Sequence, residues 1–135
     1  MSGGPLLGSS ELVAFVATTD IDRAGAFYGG VLGLPLVEDG PSACVFDAHG
    51  TQLRVTPVAE IRTAPYTVLG WAVDDMVAAV QALVHAGVGF ERFAGMEQDG
   101  LGAWAAPSGA RVAWFTDPDG NVLSLTQASA PGNET

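Results

Sequence analysis

Residues 110–127 read ARVAWFTDPDGNVLSLTQ, two β-prone runs around Asp117-Pro118-Asp119-Gly120. Proline presets φ in such a turn and glycine supplies a positive φ, so the stretch reads as a hairpin, Ala110–Thr116 against Val122–Gln127. Its second arm has a counterpart earlier in the chain. Gly120-Asn121-Val122-Leu123-Ser124-Leu125-Thr126 matches Gly50-Thr51-Gln52-Leu53-Arg54-Val55-Thr56. There too a strand returns from a turn, with His49-Gly50 joining Ala43–Ala48 to Thr51–Pro57.

The elements before the two hairpins repeat as well. Leu12–Thr18 is β-prone, and Asp20 is placed to cap a helix carrying Ile21, Ala24, Phe27, Tyr28, Val31 and Leu32 at helical spacing. Gly33 is its stop. Gly25, Gly29 and Gly30 weaken this helix, so tertiary packing must hold it. A short strand is expected at Leu34–Val37. After an irregular connector, Val58 to Pro65, the order recurs. Tyr66–Val73 is β-prone. Asp74-Asp75 caps a helix with Met76, Val77, Val80, Leu83 and Val84 on one face, ending at Gly87. Val88–Phe93 reads as a strand, residues 94–102 as a glycine-rich loop, and Ala103–Ala105 as a few extended residues. Val13 and Asp20 correspond to Val68 and Asp75 at one constant offset, and Leu32-Gly33-Leu34 to Ala86-Gly87-Val88.

The expected fold is therefore α+β, with two tandem βαβββ modules, about 11–57 and about 66–127. Neither module alone is large enough to cover its sheet, so both are expected in one domain over 11–127. Residues 1–10 and 128–135 are expected to be flexible tails.

Composition narrows the function. Hydrophobic residues make up 48% of the 135 and charged residues 15%, which fits a packed core. Five basic against fifteen acidic residues give a net charge of -10, which repels phosphate backbones and anionic lipid. Nucleic acid and membranes are thus not expected partners. Cys44 is the single cysteine, so neither an intramolecular disulfide nor a cysteine-rich metal site is possible. The first ten residues lack the basic and apolar segments of a signal peptide, and a cytoplasmic location is expected.

Three motifs together resemble the vicinal oxygen chelate superfamily, which includes glyoxalase I, extradiol dioxygenases and bleomycin-resistance proteins. They are Ala26-Phe27-Tyr28 with Val31-Leu32-Gly33-Leu34, Trp71-Ala72-Val73-Asp74-Asp75, and Trp114 through Leu123. The resemblance spans roughly residues 11–127. It implies a cup-shaped mixed sheet with helices on the outer face and a ligand on the inner one. It also implies a homodimer. In catalytic relatives, His, Glu or Gln from the first and last strand of each module hold a divalent metal. Carried over, those positions are Val13, Arg54, Val68 and Ser124, and they lack the oxygen and nitrogen donors a hard cation needs. His49 lies in a turn and His85 near a helix end. No metal and no cofactor is expected.

Strand alternation then sorts the remaining side chains. Gln52, Arg54 and Thr56 share one face, and Leu53 and Val55 the other. Ser124 goes with Val122 and Thr126, Val13 with Phe15 and Ala17, and Val68 with Gly70 and Ala72. The expected ligand-binding set is Arg54, Gln52, Thr56, Ser124, Phe15, Val13, Val68 and Trp104. It suits a small, largely apolar or aromatic molecule bearing an acidic or carbonyl group. Arg54 either meets such a group, pairs with a local acidic group, or is rotated to solvent by its strand, because an unpartnered buried guanidinium is costly. Trp104 follows the glycine-rich loop and is placed to close over a cavity. Trp71 is expected in the core, while the register of Trp114 stays open. The alternative is a glyoxalase-like lyase, isomerase or dioxygenase whose metal site is degenerate or lies elsewhere. No His, Asp or Glu falls on the inferred inner face to act as a general base.

Overall fold

Eight strands form in a computed structural model that describes residues 6–129. Of the expected flexible tails, residues 1–5 and 130–135 lie outside the described residues. The chain divides into two compact units, one up to Ile61 and one from Arg62. Each unit carries one four-stranded mixed sheet, and neither sheet is closed.

The first unit runs β1 (Val13–Thr18), α1 (Ile21–Gly25), β2 (Leu36–Gly40), β3 (Ala43–Ala48) and β4 (Thr51–Pro57). Its strand order is β1-β4-β3-β2, with β1 parallel to β4 and the other pairs antiparallel. Asp20 caps α1 by accepting the Arg23 N–H at 3.1 Å. Past Gly25 the helix widens into a π-helical stretch, Ala26–Val31, with the Leu32 N–H on the Phe27 carbonyl. Glycine explains how this weak helix is held. A Cβ on Gly29 would lie 3.2 Å from the Phe46 ring, so its absence lets the backbone settle onto β3. Ala24, Tyr28, Phe46, Leu53 and Val55 are buried there. Each large apolar side chain so covered contributes about 1.5–3 kcal/mol. The β3–β4 turn has positive φ at both His49 (51°) and Gly50 (96°), the tight form that right-twisted strands prefer. β2 starts two residues later than expected, because Pro35 contributes only its carbonyl, to Asp47.

The second unit repeats the plan as β5 (Leu69–Ala72), α2 (Met76–His85), β6 (Trp104–Ala105), β7 (Arg111–Thr116) and β8 (Val122–Gln127), in the order β5-β8-β7-β6. Asp75 caps α2 through the Ala78 N–H at 3.1 Å, and Gln127 Oε1 accepts the Met76 N–H at 2.5 Å. Gly87, at φ 101°, ends it. Met76 and Val80 are buried with Phe115, Leu123 and Leu125, whereas Val77 and Val84 are exposed, a narrower stripe than expected. The strand expected at Val88–Phe93 does not form. Phe90 makes one isolated bridge to Phe115, and Trp104–Ala105 supplies the edge strand.

The α+β expectation of two tandem βαβββ modules therefore holds, and its register is informative. β1 pairs with β4 so that Phe15 lies opposite Arg54, and β5 pairs with β8 so that Gly70 lies opposite Ser124. These pairs occupy equivalent slots of the two units.

Candidate functional site

In the first sheet, Val16, Leu53 and Val55 are buried on the face that α1 covers. The other face carries Val13 and Phe15 of β1 beside Gln52, Arg54 and Thr56 of β4, as alternation requires. Phe15 is 62% exposed, unusual for a phenylalanine in a strand. Among the described residues Arg54 has no carboxylate partner; its Nη1 donates to Gln52 Oε1 at 3.2 Å. Thr56 is occupied locally, its hydroxyl donating to the Val16 carbonyl at 3.4 Å. Five of the eight expected residues are thus together on one face.

In the second sheet, Ala113, Phe115, Leu123 and Leu125 form the buried face. Trp71 pairs with Leu125 and so joins the core side. The opposite face is aromatic. Trp114 pairs with Ser124, Val112 with both Thr126 and Trp104, so both indoles stand on it. Their ring centroids are 6.2 Å apart, and Phe93 meets Trp114 edge-on at 5.4 Å. A cavity of about 590 Å³ opens here, lined by Pro65, Tyr66, Thr67, Phe93, Met96, Trp114 and Val122. Trp104 adjoins this wall through Trp114 rather than closing over the cavity. Ser124 is 5% exposed, packed under Gly70. Val68 precedes β5 and donates its N–H to the Val122 carbonyl.

Tyr66, Phe93 and Met96 escaped the sequence reading. The usable signal was the apolar Phe93 and Met96 at the start of the glycine-rich loop. Trp114 could have been placed by counting from the Asp117–Gly120 turn, since Thr116 pairs with Val122.

The donor set does not fit a divalent cation. Val13 with Arg54 and Val68 with Ser124 offer one hydroxyl and one cationic head among four side chains. Among the described residues, no three of His, Cys, Asp and Glu come together as ligands could. Cys44 is buried, and its thiol is pushed up by burial first and then by Asp39, whose Oδ1 accepts the Sγ–H at 3.4 Å. It is not set up as a nucleophile. Asp117 accepts the Asp119 and Asn121 N–H groups and shapes its turn.

Comparison with known proteins gives this geometry its context. The family model described as Glyoxalase/Bleomycin resistance protein/Dioxygenase superfamily matches residues 12–125. No curated protein sequence matches the chain. Among solved structures, TnmS3, an antibiotic binding protein from Streptomyces sp. CB03234, is 26% identical, with a TM-score of 0.71 over 93% of this chain and 100% of its own. A glyoxalase family protein from Bacillus anthracis shares 16% identity at a TM-score of 0.72, covering 96% of this chain and 100% of that one. Lactoylglutathione lyase from Agrobacterium tumefaciens shares 18% at 0.67, covering 88% and 93%. At those two identities the likeness is one of fold.

Proposed function

From a chain that belongs to the glyoxalase/bleomycin resistance protein/dioxygenase superfamily, and that presents an aromatic cavity in place of chelating side chains, we propose a metal-free protein that binds a small planar molecule. The observation that carries this reading is the cavity lined by Tyr66, Phe93, Met96 and Trp114. Its size is that of sites for drug-sized ligands, and its lining is apolar apart from Thr67 and the Tyr66 hydroxyl. Stacked and edge-on rings reward a flat, polarizable body. The antibiotic binding protein TnmS3, at 26% identity, supports binding over turnover. So does the aromatic face itself, whose described strand residues include no His, Asp or Glu to act as a general base.

To Arg54, within the first unit, we separately assign recognition of an acidic or carbonyl group, because its guanidinium lies on the open face with only an amide for a partner. The reading includes a homodimer, since each sheet has two edge strands. It also includes a cytoplasmic location; no described helix is long and apolar enough to cross a membrane.

The test is a titration of 2-naphthol and 2-naphthoate followed by tryptophan fluorescence, on native protein and Trp114→Ala. Native protein saturates with both probes. Trp114→Ala weakens both by about tenfold or more. Absence of saturable binding to the native protein, or stoichiometric metal after purification without chelators, defeats the proposal.

A further inference from the structure

We propose that Gln98 is a positioning residue for the aromatic cavity, fixing the wall that decides which ring sizes enter; this rests on the cavity being the ligand site. Gln98 does not itself line the cavity. Its side-chain amide instead ties together three points of the surrounding loop. Oε1 accepts the Phe93 N–H at 2.8 Å, while Nε2 donates to the carbonyls of Glu91 at 2.9 Å and Gly102 at 2.8 Å. Both N–H groups and the carbonyl of one amide are thereby used, on both ends of the loop. The Gln98 backbone also bridges Trp104.

These links run to the aromatic wall. Phe93, held at its N–H, stands edge-on to Trp114, and Met96 donates its N–H to the Phe93 carbonyl at 3.2 Å. Both Phe93 and Met96 line the cavity. The segment from Arg92 to Ala103 contains no helix and no strand ladder that would hold Phe93 independently. Only a residue with two donors and one acceptor at this reach makes all three bonds. Glutamate would lose both donors and set a carboxylate against two carbonyl oxygens. Asparagine is one methylene short.

The experiment compares native protein, Gln98→Met and Gln98→Asn in two measurements. One is the exchange rate of the Phe93 amide by NMR. The other is the ratio of affinities for phenol, 2-naphthol and 9-phenanthrol. In Gln98→Met, Phe93 exchange accelerates at least about tenfold and the ring-size ratio shifts by about fivefold, in a protein whose far-ultraviolet circular dichroism is native. Gln98→Asn moves both readings the same way, and serves alone if the methionine variant does not fold. Unchanged Phe93 exchange, or an unchanged ratio despite faster exchange, overturns the inference. If native protein binds none of the probes, the reading of the cavity fails first and takes this one with it.

Discussion

Gly70 and Ser124 face each other across the parallel β5–β8 pair, so closely that a Cβ on Gly70 would sit 2.9 Å from Ser124 Oγ. Real Cβ atoms do not approach that near, so the serine and the glycine determine one another. Gly70→Ala is expected to destabilise the protein by about 1–3 kcal/mol, the range for overpacking. In Gly70→Ala/Ser124→Ala the offending oxygen is gone, and most of the loss is recovered. Urea denaturation of the two singles and the double measures the coupling; additive effects would contradict it.

The loop around the cavity has its own electrostatic clamp. Asp99 pairs with Arg111, and its Oδ1 accepts the Leu101 and Ala103 N–H groups. Burial pushes the Asp99 carboxyl upward, but the Ala103 and Leu101 N–H groups and then Arg111 outweigh it, leaving the group below its ordinary value. A depressed carboxylate stabilises the fold above its unfolded-state value, near 3.9, and that contribution disappears as pH falls through the folded value. Asp99→Asn should therefore cost up to about 1 kcal/mol at pH 7, the pair being partly solvated. The gap from native protein closes in acid. Denaturation at neutral pH and below about pH 3 checks the sign.

The turn at His49 carries avoidable strain. A β-carbon residue at φ 51° is disfavoured, and asparagine tolerates that region better than most. Asp47 Oδ1 already accepts the Gly50 N–H at 2.8 Å and would be untouched. His49→Asn is expected to raise stability by about 0.5 kcal/mol, seen as a higher denaturation midpoint at unchanged slope.

Cys44 gives a kinetic prediction. Burial and the Asp39 carboxylate both disfavour its thiolate. Reaction of the folded protein with a disulfide reagent at pH 8 should be slower than that of the urea-unfolded chain by about tenfold or more. Equal rates would mean the site opens freely.

How much of this was legible follows from where the backbone finds its partners. The caps at Asp20 and Asp75, the stop at Gly87 and both hairpins have local causes, so local sequence reveals them. The open-face set on β1 and β4 followed from alternation once the resemblance had pointed to Val13 and Arg54. The stretch Val88–Phe93 misled because its strand-like apolar pattern is real but its hydrogen bonds go elsewhere. The Phe93 N–H and the Glu91 carbonyl, which a neighbouring strand would use, are taken by the Gln98 side chain. That partner is nonlocal in kind, a side chain doing the work of a strand, and no periodicity announces it. The aromatic cavity was missed for the same reason, because Phe93 and Met96 belong to that loop.

The equivalent slots Phe15–Arg54 and Gly70–Ser124 have a consequence for the redesign of this chain. Two modules with one backbone pairing carry a bulky, cationic pair in one and a minimal pair in the other. The halves are no longer interchangeable: grafting the phenylalanine of the first onto the second would drive a ring into a serine. A symmetric redesign, with one chemistry in both slots, would need its strand neighbours changed in pairs.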